Sequence, residues 1–129
     1  MKMLILGVCG TFMAGIARLA VQLGHEVVGV DEGMYSPMRE VLTELRIELH
    51  EYYDVALMNQ PWDLILVANA LSRGMPIVEA MLQQGHAHQS APAWLHDQVL
   101  QQRNVIAVAG THGKTTTASL ITHILHYAG

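Results

Sequence analysis

Apolar residues along this chain fall into short continuous runs, separated by glycine-rich or polar turns and by stretches with helical spacing. Met3–Val8 is the first run, with β-branched members and little polar interruption, the pattern of a strand buried on both faces. Gly7, Gly10 and Gly15 punctuate its end. Helical spacing then runs from Phe12 to Leu23, where Gly24 supplies a C-terminal stop. Val27–Val30 predicts a second strand with Asp31 at its end. Ser36-Pro37 reads as a helix start, Ser36 as N-cap and Pro37 in the first helical position, with Met38, Val41, Leu42 and Leu45 turned inward. Ile47–His50 predicts a third strand, Asp54 caps a short turn through Leu57, and Leu64–Ala68 predicts a central strand. Met75-Pro76 opens a helix that closes near Gly85. Ala87–Ser90 predicts a short strand, and Ala91-Pro92 opens a helix to about Gln101. Asn104–Ala109 predicts one more strand. Thr115–Ala128 predicts a helix with Ala118, Ile121, Ile124, Leu125 and Ala128 along one side.

Strands alternating with helices imply an α/β fold: a Rossmann-like, mostly parallel sheet with helices on both faces and right-handed crossovers. Residues 1–103 are expected to form one such domain. Two strand–glycine loop–helix units occur, at 4–23 and 104–128. The second is too short to bury a core of its own, so residues 104–129 are expected to be the first strand, phosphate loop and helix of a truncated second domain. Its helix should pack on the first domain, pair with another copy, or fray.

Composition narrows the function classes. Apolar residues make up 51% of the 129 and charged residues 14%, which excludes a disordered chain. The net charge is −4 and the seven Lys and Arg form no basic patch, which argues against nucleic acid as a partner. No apolar run approaches the ~18 residues that suggest a membrane span, and the opening Met1–Gly7 is too short for a secretory signal. One cysteine, Cys9, cannot make an internal disulfide and fits a reducing cytoplasm. His86 and His88, and His123 and His126, share faces. They lack a second cysteine or an acidic partner at ligand spacing, so a zinc site is not expected.

The candidate chemistry lies in the two glycine loops. Gly110-Thr111-His112-Gly113-Lys114-Thr115-Thr116 follows an apolar run and precedes a helix. Glycines let backbone N–H groups turn toward a polyphosphate, and the helix N-terminus points its dipole at the same anion. Lys114 can charge-pair with the β- and γ-phosphates of ATP, and Thr115 can ligate Mg2+. The strict phosphate-loop spacing fails, because Val108 stands where a glycine is required; His112 is a nucleotide contact or a solvated loop residue.

The first loop, Gly7-Val8-Cys9-Gly10-Thr11-Phe12-Met13-Ala14-Gly15, lacks the dinucleotide fingerprint, since Cys9 and Phe12 replace two of its glycines. It still joins a buried strand to a helix N-terminus, so a diphosphate site remains open. Asp31 either accepts hydrogen bonds from a ribose or base, or caps a turn. Cys9 reads as a packed small residue rather than a nucleophile. Asn69-Ala70-Leu71-Ser72-Arg73-Gly74 follows the central strand, at the end where open parallel sheets bind ligands, and Arg73 could pair with a phosphate or carboxylate.

Taken together, Gly-X-X-Gly-X-X-Met-X-Gly-Ile-Ala at 7–17 and Gly-Thr-His-Gly-Lys-Thr-Thr-Thr at 110–117 resemble the Mur ligases, the ATP-dependent amide ligases of peptidoglycan metabolism. The resemblance covers the whole chain, but only the N-terminal part of a three-domain enzyme. It implies that residues 1–103 bind UDP-N-acetylmuramate and that 104–129 open the central ATP-binding domain. By the same resemblance Gly7, Cys9, Gly10, Thr11, Phe12, Met13, Asp31, Asn69, Ala70, Ser72 and Arg73 surround the UDP-sugar. Gly110, Thr111, His112, Gly113, Lys114, Thr115 and Thr116 hold ATP, with Lys114 catalytic and Thr115 on magnesium. Cys9, Thr11-Phe12, Tyr35-Ser36-Pro37-Met38, Asn69–Gly74 and Pro92-Ala93-Trp94-Leu95 fit the branch that joins murein tripeptide, L-alanyl-γ-D-glutamyl-meso-diaminopimelate, through an acyl phosphate. The residues alone are expected to bind UDP-sugar without ligating. Two alternatives stay open: the L-alanine-adding branch, and a non-catalytic nucleotide- or NAD-binding module.

Overall fold

The computed structural model describes all residues, 1–129. β1 (Lys2–Leu6), β2 (Glu26–Val30), β3 (Glu48–His50), β4 (Leu64–Val67) and β5 (His88–Ser90) form one parallel sheet in the order β3-β2-β1-β4-β5. Helices α1 (Thr11–Gln22), α2 (Met38–Glu44), α3 (Pro76–Gln83) and α4 (Ala91–Leu95) cover it, and α5 (Lys114–Ala128) follows. The chain builds outward from β1 to β3, then returns to lay β4 on the other side of β1. That reversal places a crevice at the carboxyl ends of β1 and β4.

Strand residues alternate between two apolar reservoirs. Met3, Ile5, Val27 and Leu66 face α1 and α4, where Ala14, Ala17 and Ala20 let α1 lie close to the sheet. Leu4, Leu6, Val28, Val30 and Ile65 face α3 and the short 3₁₀ turn Val55–Asn59. Because both faces are covered, the strands read as unbroken apolar runs rather than alternating ones. No polar or charged residue is fully buried.

Several sequence signals act as the residue chemistry requires. Asp54 accepts the Ala56 N–H at 2.8 Å and starts the 3₁₀ turn. The Ser90 hydroxyl accepts from Ala93, 3.4 Å away, with Pro92 in the first turn of α4. Trp94 fills the space between α4 and α1, fully buried, with its ring edge-on to His25 at 6.4 Å.

Other expectations need correction. Ser36 is not the N-cap of α2; the helix begins at Met38 with Pro37 in the cap position, and the Ser36 hydroxyl instead bonds the Glu40 carboxylate. The helix from Ala91 is α-helical only to Leu95 and continues as a wider π turn over His96–Leu100. Asn104–Ala109 is not a strand: these residues join no ladder, and Val105 and Ile106 are more than half exposed. A strand is defined by its partner, and every strand of the sheet is already placed without this segment. α5 forms as expected, but Leu120, Ile124 and Leu125 on its surface are exposed and only Ile121 is half covered. No helix is long and apolar enough to cross a membrane.

Two outcomes follow from this packing. Gly7 sits at φ +81°, and a Cβ there would stand 2.7 Å from the Ala68 Cβ. Gly7→Ala should therefore cost about 3 kcal/mol in urea unfolding, from left-handed strain and overpacking combined. Gly15→Ala, which meets nothing within 4 Å on α1, should be neutral or stabilising. In hydrogen exchange, the amides of α5 should exchange within seconds, as in a marginal uncovered helix, while those of β1 persist; slow exchange of α5 in the monomer would show that it is docked.

Candidate functional site

The loop after β1 is held by three backbone anchors. The amides of Gly7 and Val8 both donate to the Val30 carbonyl, at 2.8 and 3.2 Å, and the Cys9 amide donates to Asp31 Oδ2 at 2.8 Å. Val8 in turn lies over Gly29 of β2, where a Cβ would stand 2.7 Å from its Cγ1. With residues 7–9 tied to the end of β2, the chain enters α1 in a fixed direction. The first hydrogen bond of α1 runs from Ala14 to Gly10, and no side chain caps the helix. The amides of Thr11, Phe12 and Met13 are thus unpartnered donors aimed from the helix N-terminus toward the carboxyl edge of the sheet.

Asp31 caps two turns rather than α1. Its second oxygen accepts the Gly33 amide at 3.0 Å, so the half-buried carboxylate stabilises two turns at once. Each oxygen keeps one further acceptor position. Burial and the Asp31 charge push the Cys9 thiol up, partly offset by Arg39, so Cys9 stays protonated and unreactive at neutral pH.

The opposite wall is the segment that follows β4. Phe12 and Met13 from α1, Ala68 and Asn69 after β4, and Ala91-Pro92 at the start of α4 line a cavity of about 210 Å³. A broader hollow of about 520 Å³ lies beside it, reaching from Asn69, Ser72 and Arg73 to the β5 residues His88–Ser90. Arg73 is already engaged: its Nε and Nη2 donate to the two Glu79 oxygens at 2.7 and 3.1 Å, and the Gly74 amide donates to the same carboxylate at 2.8 Å. The bidentate pair holds the Glu79 carboxyl below its usual range and fixes the shape of the 69–74 loop.

Tyr53 lies beside Gly7. Its ring packs against the α3-side cluster, and its hydroxyl lies 3.9 Å from the place a Gly7 Cβ would take. Burial and the Asp31 and Glu32 carboxylates push its phenol up to about 12, with no hydrogen bond contributing.

The second glycine loop stands apart. Gly113 adopts φ +76° before α5, a left-handed turn that favours glycine. The first capping bond runs from Thr117 to Gly113, which leaves the amides of Lys114, Thr115 and Thr116 free. Lys114 Nζ donates to the Gly110 carbonyl at 2.7 Å, across the loop. Residues 110–116 are all exposed.

The structure therefore brings together Gly7, Cys9, Gly10, Thr11, Phe12, Met13, Asp31, Asn69, Ala70, Ser72 and Arg73 at one edge of the sheet. Of these, Phe12, Met13, Asn69, Ser72 and Arg73 line the two cavities, and Gly110–Thr116 line neither. Sequence reasoning missed Tyr53 and Glu79. Tyr53 had a faint signal, an aromatic hydroxyl three residues past a strand's carboxyl end; Glu79 had none, since its partner lies across a loop.

Comparison with known proteins bears on the same residues. The chain matches the Mur ligase family, catalytic domain, over residues 2–103. It is 52% identical, over all 129 residues, to the UDP-N-acetylmuramate–L-alanyl-γ-D-glutamyl-meso-2,6-diaminoheptandioate ligase of Escherichia coli (strain K12), covering 28% of that protein. It is 38% identical over 123 residues to a UDP-N-acetylmuramate–L-alanine ligase of a Nocardioides strain, covering 95% of the chain and 27% of that protein. The crystal structure of a murein peptide ligase from Psychrobacter arcticus 273-4 superposes with a TM-score of 0.96 at 50% identity, over 100% of this chain and 27% of that one. The chain thus spans little more than a quarter of the length of these relatives. With four-fifths of its residues inside the family match and the loop–helix edge intact, the chain belongs to the Mur ligase family.

Proposed function

We propose that the chain is the UDP-sugar-binding portion of an ATP-dependent amide ligase that joins the murein tripeptide L-alanyl-γ-D-glutamyl-meso-diaminopimelate to UDP-N-acetylmuramate in the cytoplasm. The observation that carries the reading is the trio of free amides at Thr11–Met13, facing the 69–74 loop at the point where the sheet reverses its strand order. Such a helix N-terminus suits a diphosphate without any basic side chain in the loop itself. The difference between 52% identity to a tripeptide ligase and 38% to an alanine ligase supports the tripeptide as the joined group.

On this reading residues 1–103 are the UDP-N-acetylmuramate domain and 104–129 open the central ATP-binding domain. Every fully buried residue lies between Met3 and Trp94, which supports a boundary after that point. The second loop fits a magnesium-bound triphosphate. Three amides and the exposed Thr115 hydroxyl lie around it, and the Lys114 ammonium rests on a loop carbonyl from which an incoming phosphate can draw it. Lys114 then acts electrostatically, neutralising charge on the phosphoryl oxygens, and Thr115 supplies a magnesium ligand. A carboxylate is a poor acyl donor; ATP, when bound, supplies the phosphoryl group that makes the lactyl carboxylate an acyl phosphate open to attack by the peptide amine. The 129 residues alone bind UDP-sugar and do not ligate, since they span 28% of the tripeptide ligase they resemble.

Titrating the chain with UDP-N-acetylmuramate should shift the amide resonances of Thr11–Met13 and Asn69–Gly74 and leave those of α5 unmoved. Silence at both loops would overturn the UDP-sugar site. In the full-length enzyme, Lys114→Ala should slow tripeptide ligation by about 100-fold or more, a loss of about 3 kcal/mol in transition-state stabilisation, while UDP-sugar affinity holds. Ligation at the original rate would remove Lys114 from the chemistry.

A further inference from the structure

We propose that Asp97 is a positioning residue for ligation: by clasping the π turn after α4 to Gln89 of β5, it sets the direction in which residues 104–129 leave the sheet, and so where the second glycine loop stands relative to the first. This rests on the two-domain ligase reading above and adds to it a residue that lines neither cavity of the candidate site.

Two hydrogen bonds define the clasp. Asp97 Oδ2 accepts the Gln89 side-chain amide at 2.7 Å, and Oδ1 lies 2.9 Å from His96 Nδ1. Both bonds hold the Asp97 carboxyl below its usual range, so it accepts as an anion at neutral pH. β5 is the last strand of the sheet and pairs only with β4. The Gln89–Asp97 bond therefore ties the exit of the chain to the edge of the rigid layer.

The segment beyond the clasp gives it leverage. The π turn buries none of its residues. It closes from the Gln101 amide to the His96 carbonyl at 3.1 Å, the wide helical bond that occurs mostly as single turns at functional sites. Asp97, Val99, Gln101 and Arg103 line a hollow of about 540 Å³, so the turn has unfilled space beside it. Farther on, Asn104, Ile106 and Val108 face Ala118, Ile121 and Leu125 of α5 across a narrower cleft. Residues 104–128 thus pack on one another, and no residue of α5 is buried. With no buried surface holding α5 to the sheet, its orientation is set through residues 96–103.

Ligation requires the phosphoryl group held at the second loop to meet the carboxylate carried by the sugar at the first. Hinges for such a meeting are a few positions at the end of an element, far from the chemistry, and small misplacements there slow the reaction. An exposed clasp adds little to stability. Its loss should leave both units folded and widen the range of angles between them.

The test uses the full-length enzyme. Asp97→Ala should lower kcat for tripeptide ligation about fivefold, the worth of one hydrogen bond at the surface, while KM for ATP and for UDP-N-acetylmuramate stays within about twofold. Asp97→Asn keeps an acceptor for Gln89 and should restore most of the rate. Gln89→Ala should repeat the loss, and adding it to Asp97→Ala should cost nothing further. Thermal melting and stoichiometric binding of UDP-N-acetylmuramate should match wild type in every variant. Unchanged kcat in Asp97→Ala overturns the inference. So does a loss that Asn does not rescue, a loss that adds in the double variant, a loss confined to KM, or one matched by fewer binding-competent molecules. A wild-type enzyme that ligates no tripeptide removes the ligase reading itself, which is a different failure.

Discussion

The Val30 carbonyl accepts two consecutive amides, Gly7 and Val8, and the next residue's carboxylate, Asp31, accepts a third, from Cys9. The end of β2 thereby takes up the hydrogen-bonding capacity of the loop after β1, and the geometry of the whole edge depends on it. Satisfying the donors of residues 7–9 leaves those of residues 11–13 pointing out of the protein. The turn this requires is possible because Gly7 can adopt a left-handed conformation against Ala68, and because Gly29 leaves room for Val8. The polarity of the site is thus a product of backbone accounting more than of charged side chains: the loop from Gly7 to Gly15 contains neither lysine nor arginine.

The same constraint explains how the two walls of the crevice are made from distant parts of the sequence. Parallel pairing places the carboxyl ends of β1 and β4 side by side, so the 69–74 loop necessarily faces the N-terminus of α1. That loop is then shaped by a three-fold hydrogen bond to Glu79 on the first turn of α3. The Arg73–Glu79 pair is largely exposed, so Arg73 can exchange it for another partner at small cost.

Much of this was legible in the residues. The buried strands announced themselves as uninterrupted apolar runs, because a doubly covered sheet has no polar face to alternate with. Asp54, Pro76 and Pro92 marked starts that the backbone honours, since their effects are local. Ser36 misled because a serine before proline can cap a helix or bond a glutamate four residues on, and Glu40 supplied the second option. Asn104–Ala109 misled for a non-local reason: β propensity gives a strand only when a neighbour offers its ladder. In the candidate site, the glycine loops were visible through spacing, and Asp31 through its place at a strand end. Tyr53 and Glu79 were not, because their importance comes from what the fold sets beside them.

β1, at the centre of the sheet, is made before any other strand of it. Lys2 pairs with Glu26 on one side, and Met3 with Leu64 on the other. During synthesis at ~5–20 residues per second, this strand, buried from Met3 to Leu6, must wait several seconds for its second neighbour to leave the ribosome. Its flank remains sticky throughout that interval, so the nascent polypeptide depends on early β1–β2 docking, or on a chaperone, to stay out of aggregates.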